Sequence, residues 1–285
     1  MADALTSARS ARARLDKLTF PRPSSTRIIT VANQKGGVGK TTTAVNLAAA
    51  LAKHGLRVLV IDADPQGNAS TALGVEHRAG TPSIYEILIE GMPMAEAVKQ
   101  STDIESLYVV PATINLSGAE IELVSVVSRE TVLKRALTGY LEGLDSGEAY
   151  DYVFIDCPPS LGLLTINAMV AGEEVLIPIQ CEYYALEGLS QLLKNIHLVA
   201  GALNPDLRLS TLVLTMFDRR TNLANEVAHD VRSHFPEETL NTKIPRSVRI
   251  SEAPSFEQTV ITYDPTSSGA IAYEQAAYEI AKRGV

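Results

Sequence analysis

Six short, almost wholly apolar runs recur along this chain, at residues 28–32, 58–61, 107–110, 153–155, 174–179 and 209–216, with a weaker one at 240–244. Between them lie stretches with helical apolar spacing, near 40–53, 83–90, 117–142, 162–171, 183–203, 221–234 and 268–282. A strand that is apolar on both faces must be covered on both faces. Short buried strands separated by helices therefore predict an α/β fold: a doubly wound, mostly parallel sheet with helices on both faces. Functional loops in such a sheet lie at the C-terminal ends of its strands. At 285 residues the chain suits one such domain, expected over 27–285, preceded by a basic extension over 1–26.

Composition narrows the function classes. No apolar run approaches the ~18 residues needed to cross a bilayer. The first 20 residues lack the apolar centre of a secretory signal. Cys157 and Cys181, the two cysteines, do not form a CxxC pair, which argues against a disulfide framework or an iron–sulfur site and fits a reducing cytoplasm. A net charge of −8 excludes a surface that coats nucleic acid throughout, though not a local basic face. Residues 1–27 hold six Lys/Arg against Asp3 and Asp16. Within them Leu5, Ala8, Ala11, Leu15 and Leu18 recur at roughly helical spacing before Pro21 and Pro23 break the pattern. This leader reads as a flexible, disordered extension, with a short basic amphipathic helix meeting DNA, lipid or a partner as the alternative.

The first strand runs into Asn33-Gln34-Lys35-Gly36-Gly37-Val38-Gly39-Lys40-Thr41-Thr42 and then a helix. Glycines let successive N–H groups turn toward a phosphate, and the helix N-terminus adds its dipole. Lys40 can reach the β- and γ-phosphates of a nucleotide, and the Thr41 hydroxyl can ligate Mg²⁺. The second strand ends in Asp62-Ala63-Asp64-Pro65, two carboxylates projecting to the same side, or else a capping pair in a polar turn. A third strand ends in Asp156, the arrangement that holds a Mg²⁺-bound water in nucleotide hydrolases, with Cys157 beside it as a small buried residue.

The glycine loop departs from G-x-x-x-x-G-K-[ST]: the first glycine would fall at Gln34, and Lys35 follows it. The string Lys35-Gly36-Gly37-Val38-Gly39-Lys40-Thr41-Thr42 resembles the deviant Walker A motif of the ParA/MinD family of P-loop ATPases. That resemblance implies ATP and Mg²⁺ as ligands, and it implies a lysine, Lys35, that reaches the nucleotide of a partner subunit. It makes Lys35, Lys40 and Asp64 the catalytic residues, Asp64 orienting the attacking water, and it gives Asp62 a water-mediated part in holding Mg²⁺ beside Thr41 and Asp156. The resemblance covers about residues 26–283 and is nearest to the chromosomal ParA/Soj branch. It is carried by Asp64-Pro65-Gln66-Gly67-Asn68, Asp156-Cys157-Pro158-Pro159-Ser160, Pro178-Ile179-Gln180-Cys181-Glu182-Tyr183, Thr215-Met216-Phe217-Asp218 and Ile244-Pro245-Arg246-Ser247-Val248-Arg249. It implies an ATP-sandwich homodimer that binds double-stranded DNA without sequence preference. It also implies a ParB-type centromere-binding partner that stimulates hydrolysis, a cytoplasmic and nucleoid-associated location, and no stable membrane association. Pro245 and Ser247 match a loop lining the adenine pocket; Met216 packs on the base or in the core.

Residues 208–249 hold seven Lys/Arg against five acids in a chain that is otherwise acidic. No aromatic residues alternate with these arginines, so phosphate contact is the expected mode rather than base readout. Arg219, Arg220, Lys243, Arg246 and Arg249 are the candidate DNA contacts, with solvated arginines in local ion pairs as the alternative. Where relatives carry Gly-Lys or Gly-Gln after the 251–255 segment, this chain has Phe256-Glu257-Gln258, a departure that weakens the local DNA contact. The leader is too short for a helix-turn-helix, so sequence-specific autorepression is not expected. A MinD-like membrane role would need a C-terminal amphipathic tail, and an iron–sulfur carrier would need paired cysteines. The remaining alternative is an ATP-gated scaffold that positions a membrane or polar protein complex.

Overall fold

The structure is a computed structural model and describes residues 10–183 and 185–284. The leader's first nine residues, with Asp3, Leu5, Ala8 and Arg9, lie outside the described residues, as do Tyr184 and Val285. The chain runs β1 (Arg27–Val31), α1 (Lys40–Lys53), β2 (Val58–Asp62), α2 (Asn68–Ala72), a π-helical turn (Glu86–Glu90), α3 (Met94–Ala97), β3 (Lys99–Gln100), β4 (Leu107–Val110), α4 (Leu116–Leu123), α5 (Val132–Glu142) and β5 (Tyr152–Asp156). It continues through α6 (Leu163–Ala171), β6 (Glu174–Gln180), α7 (Ala185–Ala202), β7 (Arg208–Thr215), α8 (Asn222–His234), α9 (Val248–Glu252), α10 (Val260–Tyr263) and α11 (Ser268–Lys282).

Among the described residues the sheet has seven strands in the order β3-β4-β2-β5-β1-β6-β7, all parallel except the short edge strand β3. Alternate side chains feed two cores. Val58, Val60, Tyr152 and Phe154 pack with α1 and α11, while Leu59, Ile61, Val153 and Ile155 pack with α4 to α8. This two-sided burial is why the strands read as apolar runs rather than alternating ones. Among the described residues no helix is long and apolar enough to cross a membrane.

Several stretches differ from the sequence expectation, among them the unexpected edge strand β3, whose Lys99 and Gln100 form no apolar run. The weak strand at 240–244 is not a strand: only its ends bond to β7, the Leu240 and Ile244 amides donating to the Leu212 and Leu214 carbonyls (3.0 and 2.8 Å), while the Asn241 and Thr242 amides between them donate to the Glu279 carboxylate (2.7 and 2.8 Å). The single helix expected over 117–142 is two, broken where Ser128 takes a left-handed conformation (φ 55°). The expected helix at 83–90 is a π-helical turn, ended by Gly91 at φ 72°. The leader also departs from a flexible extension over its described part. Residues 10–15 are helical, and Leu15 and Phe20 are buried, Phe20 stacking on His54 and packing with Tyr278. Arg12 reaches the fully buried Glu274 on α11, which also contacts Lys53 and His54 at 3.3 Å each. A buried carboxylate needs cationic partners, and that the leader supplies one is a contact across 262 residues that no local pattern records.

Candidate nucleotide site and basic face

The central strands converge at their C-terminal ends. Asp62 and Asp156 stand side by side in the β2–β5 register, and Val31, the last residue of β1, pairs with Asp156 from the other side. The chain leaves β1 through the glycine loop, where Gly37 and Gly39 take φ of 75° and 87°, values that side chains with a Cβ adopt only with strain. Thr215 at the end of β7 donates to the Val38 carbonyl at 2.9 Å, and Asn33 donates to the Pro178 carbonyl of β6 at 2.8 Å, so the loop is pinned from the β6–β7 side of the sheet.

Beneath the loop lies a cavity of about 460 Å³ lined by Gly36, Gly37, Gly39, Lys40, Thr41 and Thr42 together with Asp64. An adjoining cavity of about 570 Å³ is lined by Met216, Pro245, Ser247 and Tyr273 and shares Gly39 and Thr42 with the first. The structure thus brings together the residues expected at the phosphates and those expected at the base. Met216 lines both cavities, with its backbone at a left-handed φ of 50°.

Lys40 is almost fully buried; its ammonium donates to the Lys35 carbonyl at 3.3 Å. Burial lowers its pKa, while Asp156 and Asp64 pull the other way. The two strand-end aspartates differ sharply. Asp62 accepts from the Ser70 amide and hydroxyl (2.8 and 2.7 Å) and from the Asp64 amide (3.2 Å), and burial still pushes its pKa up to about 6. Asp156 is fully buried, and neither carboxylate oxygen has a hydrogen-bond partner among the described residues. Its pKa is driven well up, first by burial and then by Asp62. The Thr41 hydroxyl is close enough to favour the charged carboxylate but completes no well-formed hydrogen bond with it. Two orphaned, buried carboxylate oxygens are costly unless a cation joins them. With Thr41 at its side, this is the donor chemistry of a Mg²⁺ site open to phosphate and water. Asp62, by contrast, spends its hydrogen bonds on holding the 64–70 loop.

Asp64 lines the first cavity and fixes its own turn by accepting from the Gln66 amide at 3.0 Å. Lys35 is half-exposed outside the loop and ion-paired with Glu182, which follows β6. Cys157 is wholly buried, and burial pushes its thiol pKa well up, as befits a small core side chain. Ser70 went unnoticed in the sequence because eight residues of loop and helix separate it from Asp62. Asn33, Glu182 and Thr215 lay within quoted motif segments, but contacts across strands gave them their roles.

The basic residues gather at the exit of β7 and along the 243–249 segment. Arg219 and Arg246 are exposed. Arg220 grips Asp218 with two bonds at 2.9 and 2.7 Å, which hold the Asp218 carboxyl down to about 2. Lys243 sits over the Phe217 ring at 4.2 Å. Arg249 pairs with Glu252 at 3.0 Å and with Asp264 at 3.4 Å. Arg220 and Arg249 therefore already have a counter-charge.

A family model described as an AAA domain matches residues 26–209. Over 258 residues the chain is 53% identical to the sporulation initiation inhibitor protein Soj of Bacillus subtilis, covering 90% of this chain and 99% of that protein. It is 51% identical over 257 residues to the chromosome partitioning protein ParA of Myxococcus xanthus, covering 90% and 88% of the two. The chain belongs to the ParA/Soj family. Among solved structures it resembles a cobyrinic acid a,c-diamide synthase from Mycobacterium smegmatis with bound ATP analogue and magnesium. That chain is 39% identical with a TM-score of 0.74, and the match covers 88% of this chain and 93% of the other. ParA/Soj membership places the cavities in a P-loop nucleoside triphosphatase fold, and the seven-stranded sheet agrees with it.

Proposed function

We propose that residues 27–285 form one ATPase domain that partitions replicated DNA, hydrolysing ATP to ADP and phosphate within an ATP-sandwich homodimer. The observation that carries this reading is Asp156, a fully buried carboxylate with both oxygens unpartnered at the foot of the glycine loop. A bound nucleotide with Mg²⁺ answers that imbalance, as relatives with ATP analogue and magnesium support. Mg²⁺, held by Thr41 and Asp156, supplies neutralisation of phosphate charge. Lys40 and the loop amides bind the phosphates, and Met216, Pro245 and Ser247 enclose the base. Asp64 orients the attacking water, and Asp62 keeps the Asp64 turn in place. Lys35 leaves Glu182 to reach the partner subunit's nucleotide, where a second cation stabilises transition-state charge.

In the dimer, Arg219, Arg220, Lys243, Arg246 and Arg249 meet DNA phosphates, with sequence playing no part. A ParB-type centromere-binding partner speeds hydrolysis and frees the protein, which works in the cytoplasm on the nucleoid. The test is retention on a non-specific duplex of about 100 base pairs, with ATP, ADP or no nucleotide, at low and raised salt, with Lys40→Ala alongside. Expected is binding with ATP only, weakening at least about tenfold between 50 and 200 mM salt, and absent in Lys40→Ala. Protein that hydrolyses ATP yet binds DNA in no state would overturn the DNA-partitioning reading in favour of an ATP-gated positioning scaffold.

A further inference from the structure

Asp64 sits on a turn that closes on a glycine. The Gly67 amide donates to the Asp64 carbonyl at 2.9 Å, and Gly67 itself takes a left-handed φ of 64°. A glycine has no side chain to fix that conformation, so the rigidity of the turn depends on what packs against it. The Gln66 amide occupies one Asp64 oxygen, which leaves the other for a water. A water-orienting carboxylate works only when it is held in place, since a displacement of about 1 Å can cost about a hundredfold in rate.

His77 supplies the packing. Its ring lies against the open face of Gly67: a Cβ at position 67 would fall 2.8 Å from Nδ1 and 3.0 Å from Cε1. The His77 Nε2 stands 2.9 Å from the Thr71 hydroxyl. That hydroxyl donates its single hydrogen to the Gly67 carbonyl at 3.1 Å, so it accepts from His77, and the imidazole carries a proton on Nε2. One ring thus meets Gly67 directly and again through Thr71. The loop that presents His77 is itself tied down. Val75 is buried and its amide donates to the Ser70 carbonyl (3.1 Å), while the Glu76 carbonyl accepts from Lys99 on β3 (3.0 Å). Asp64, Gln66 and Thr71 line the glycine-loop cavity, and the imidazole stands behind that wall. The turn is therefore clamped at both ends, by Asp62 accepting from the Asp64 amide (3.2 Å) and by His77 and Thr71 at Gly67.

We propose that His77 is a positioning residue for ATP hydrolysis: it clamps the Gly67 end of the turn and so holds Asp64 at the attacking water. This rests on the reading that Asp64 orients that water. His77 acts through Gly67 and Thr71 and takes no part in the chemistry itself. A histidine that only filled space over Gly67 would be replaceable by any side chain of similar bulk. One that clamps through Nε2 needs a hydrogen-bond donor at that point, because without it the Thr71 hydroxyl loses its second partner.

The experiment compares the full chain with His77→Gln, His77→Leu and Asp64→Ala in Mg²⁺ and ATP. Rates are referred to the concentration of ATP-binding sites, so that unfolded protein does not count as lost turnover. His77→Leu should lower kcat about tenfold with KM for ATP within about twofold, and His77→Gln, whose amide nitrogen can stand where Nε2 stood, should recover most of the rate. In nucleotide-free protein, amide hydrogen exchange over 66–71 should quicken in His77→Leu and not in His77→Gln. Three results overturn the proposal: a wild-type kcat in His77→Leu, a His77→Gln variant as slow as His77→Leu, or exchange over 66–71 that is the same in all three proteins. Asp64→Ala separates the two readings. If it turns over at the wild-type rate, the role of Asp64 falls, and the exchange result still decides whether His77 clamps the turn.

Discussion

Asp62 and Asp156 are the same residue type at the ends of neighbouring strands, and their surroundings give them different work. Ser70 and the Asp64 amide satisfy Asp62, whereas Asp156 keeps two bare oxygens. Burial holds the Asp62 pKa near 6, above the unfolded value of about 3.9. A raised folded-state pKa contributes stability that is full below the unfolded pKa and is lost as pH rises through the folded one. Acidifying metal-free, nucleotide-free protein from pH 7 to 5 should therefore stabilise wild type relative to Asp62→Asn by roughly 1 kcal/mol. Urea titrations of both proteins at the two pH values measure this; a difference that does not move with pH would show that Asp62 titrates normally.

At the scale of elements, the sheet is tied to its flanking helix by a buried ion pair. Arg27 on β1 binds Glu174 on β6 through two bonds of 2.8 Å, and its third nitrogen donates to the Ile280 carbonyl near the end of α11. Burial alone would raise the Glu174 pKa, but the Arg27 bonds outweigh it and the net shift is downward. Stability from this pair is present above the normal glutamate pKa and is lost as pH falls through the lowered one. Glu174→Gln should cost about 3–5 kcal/mol near neutral pH, because it strands a buried guanidinium. Chemical denaturation checks it, with a loss under 1 kcal/mol counting against the pair. The six parallel strands were legible to within one residue because their two-sided burial leaves an apolar run, whereas the edge strand β3, Lys99–Gln100, has no apolar residue to mark it. Helix breaks were less so, since the turn at Ser128 and the π-helical turn at 86–90 depend on packing rather than composition.

For the whole molecule, the leader is the main departure. Its described part closes over the C-terminal end of α1 and over α11, with Leu15 and Phe20 in the core and Arg12 on Glu274. Leu15→Ala and Phe20→Ala should each cost about 2–5 kcal/mol, as buried truncations do. Unchanged unfolding midpoints in both would mean that the leader is not part of the folded unit.

The sequence alone determined the six parallel strands, the long helices α1, α6, α7, α8 and α11, the glycine loop and the carboxylates at the strand ends. These depend on local rules: apolar runs for two-sided burial, positive-φ glycines, and a short fixed offset from glycine to lysine. Tertiary structure decided which carboxylate stays unpartnered, that Ser70 and Thr215 brace the site, and that the leader docks on Glu274. Each of these is a contact between residues distant along the chain, and no local periodicity records which surfaces meet once the sheet has closed.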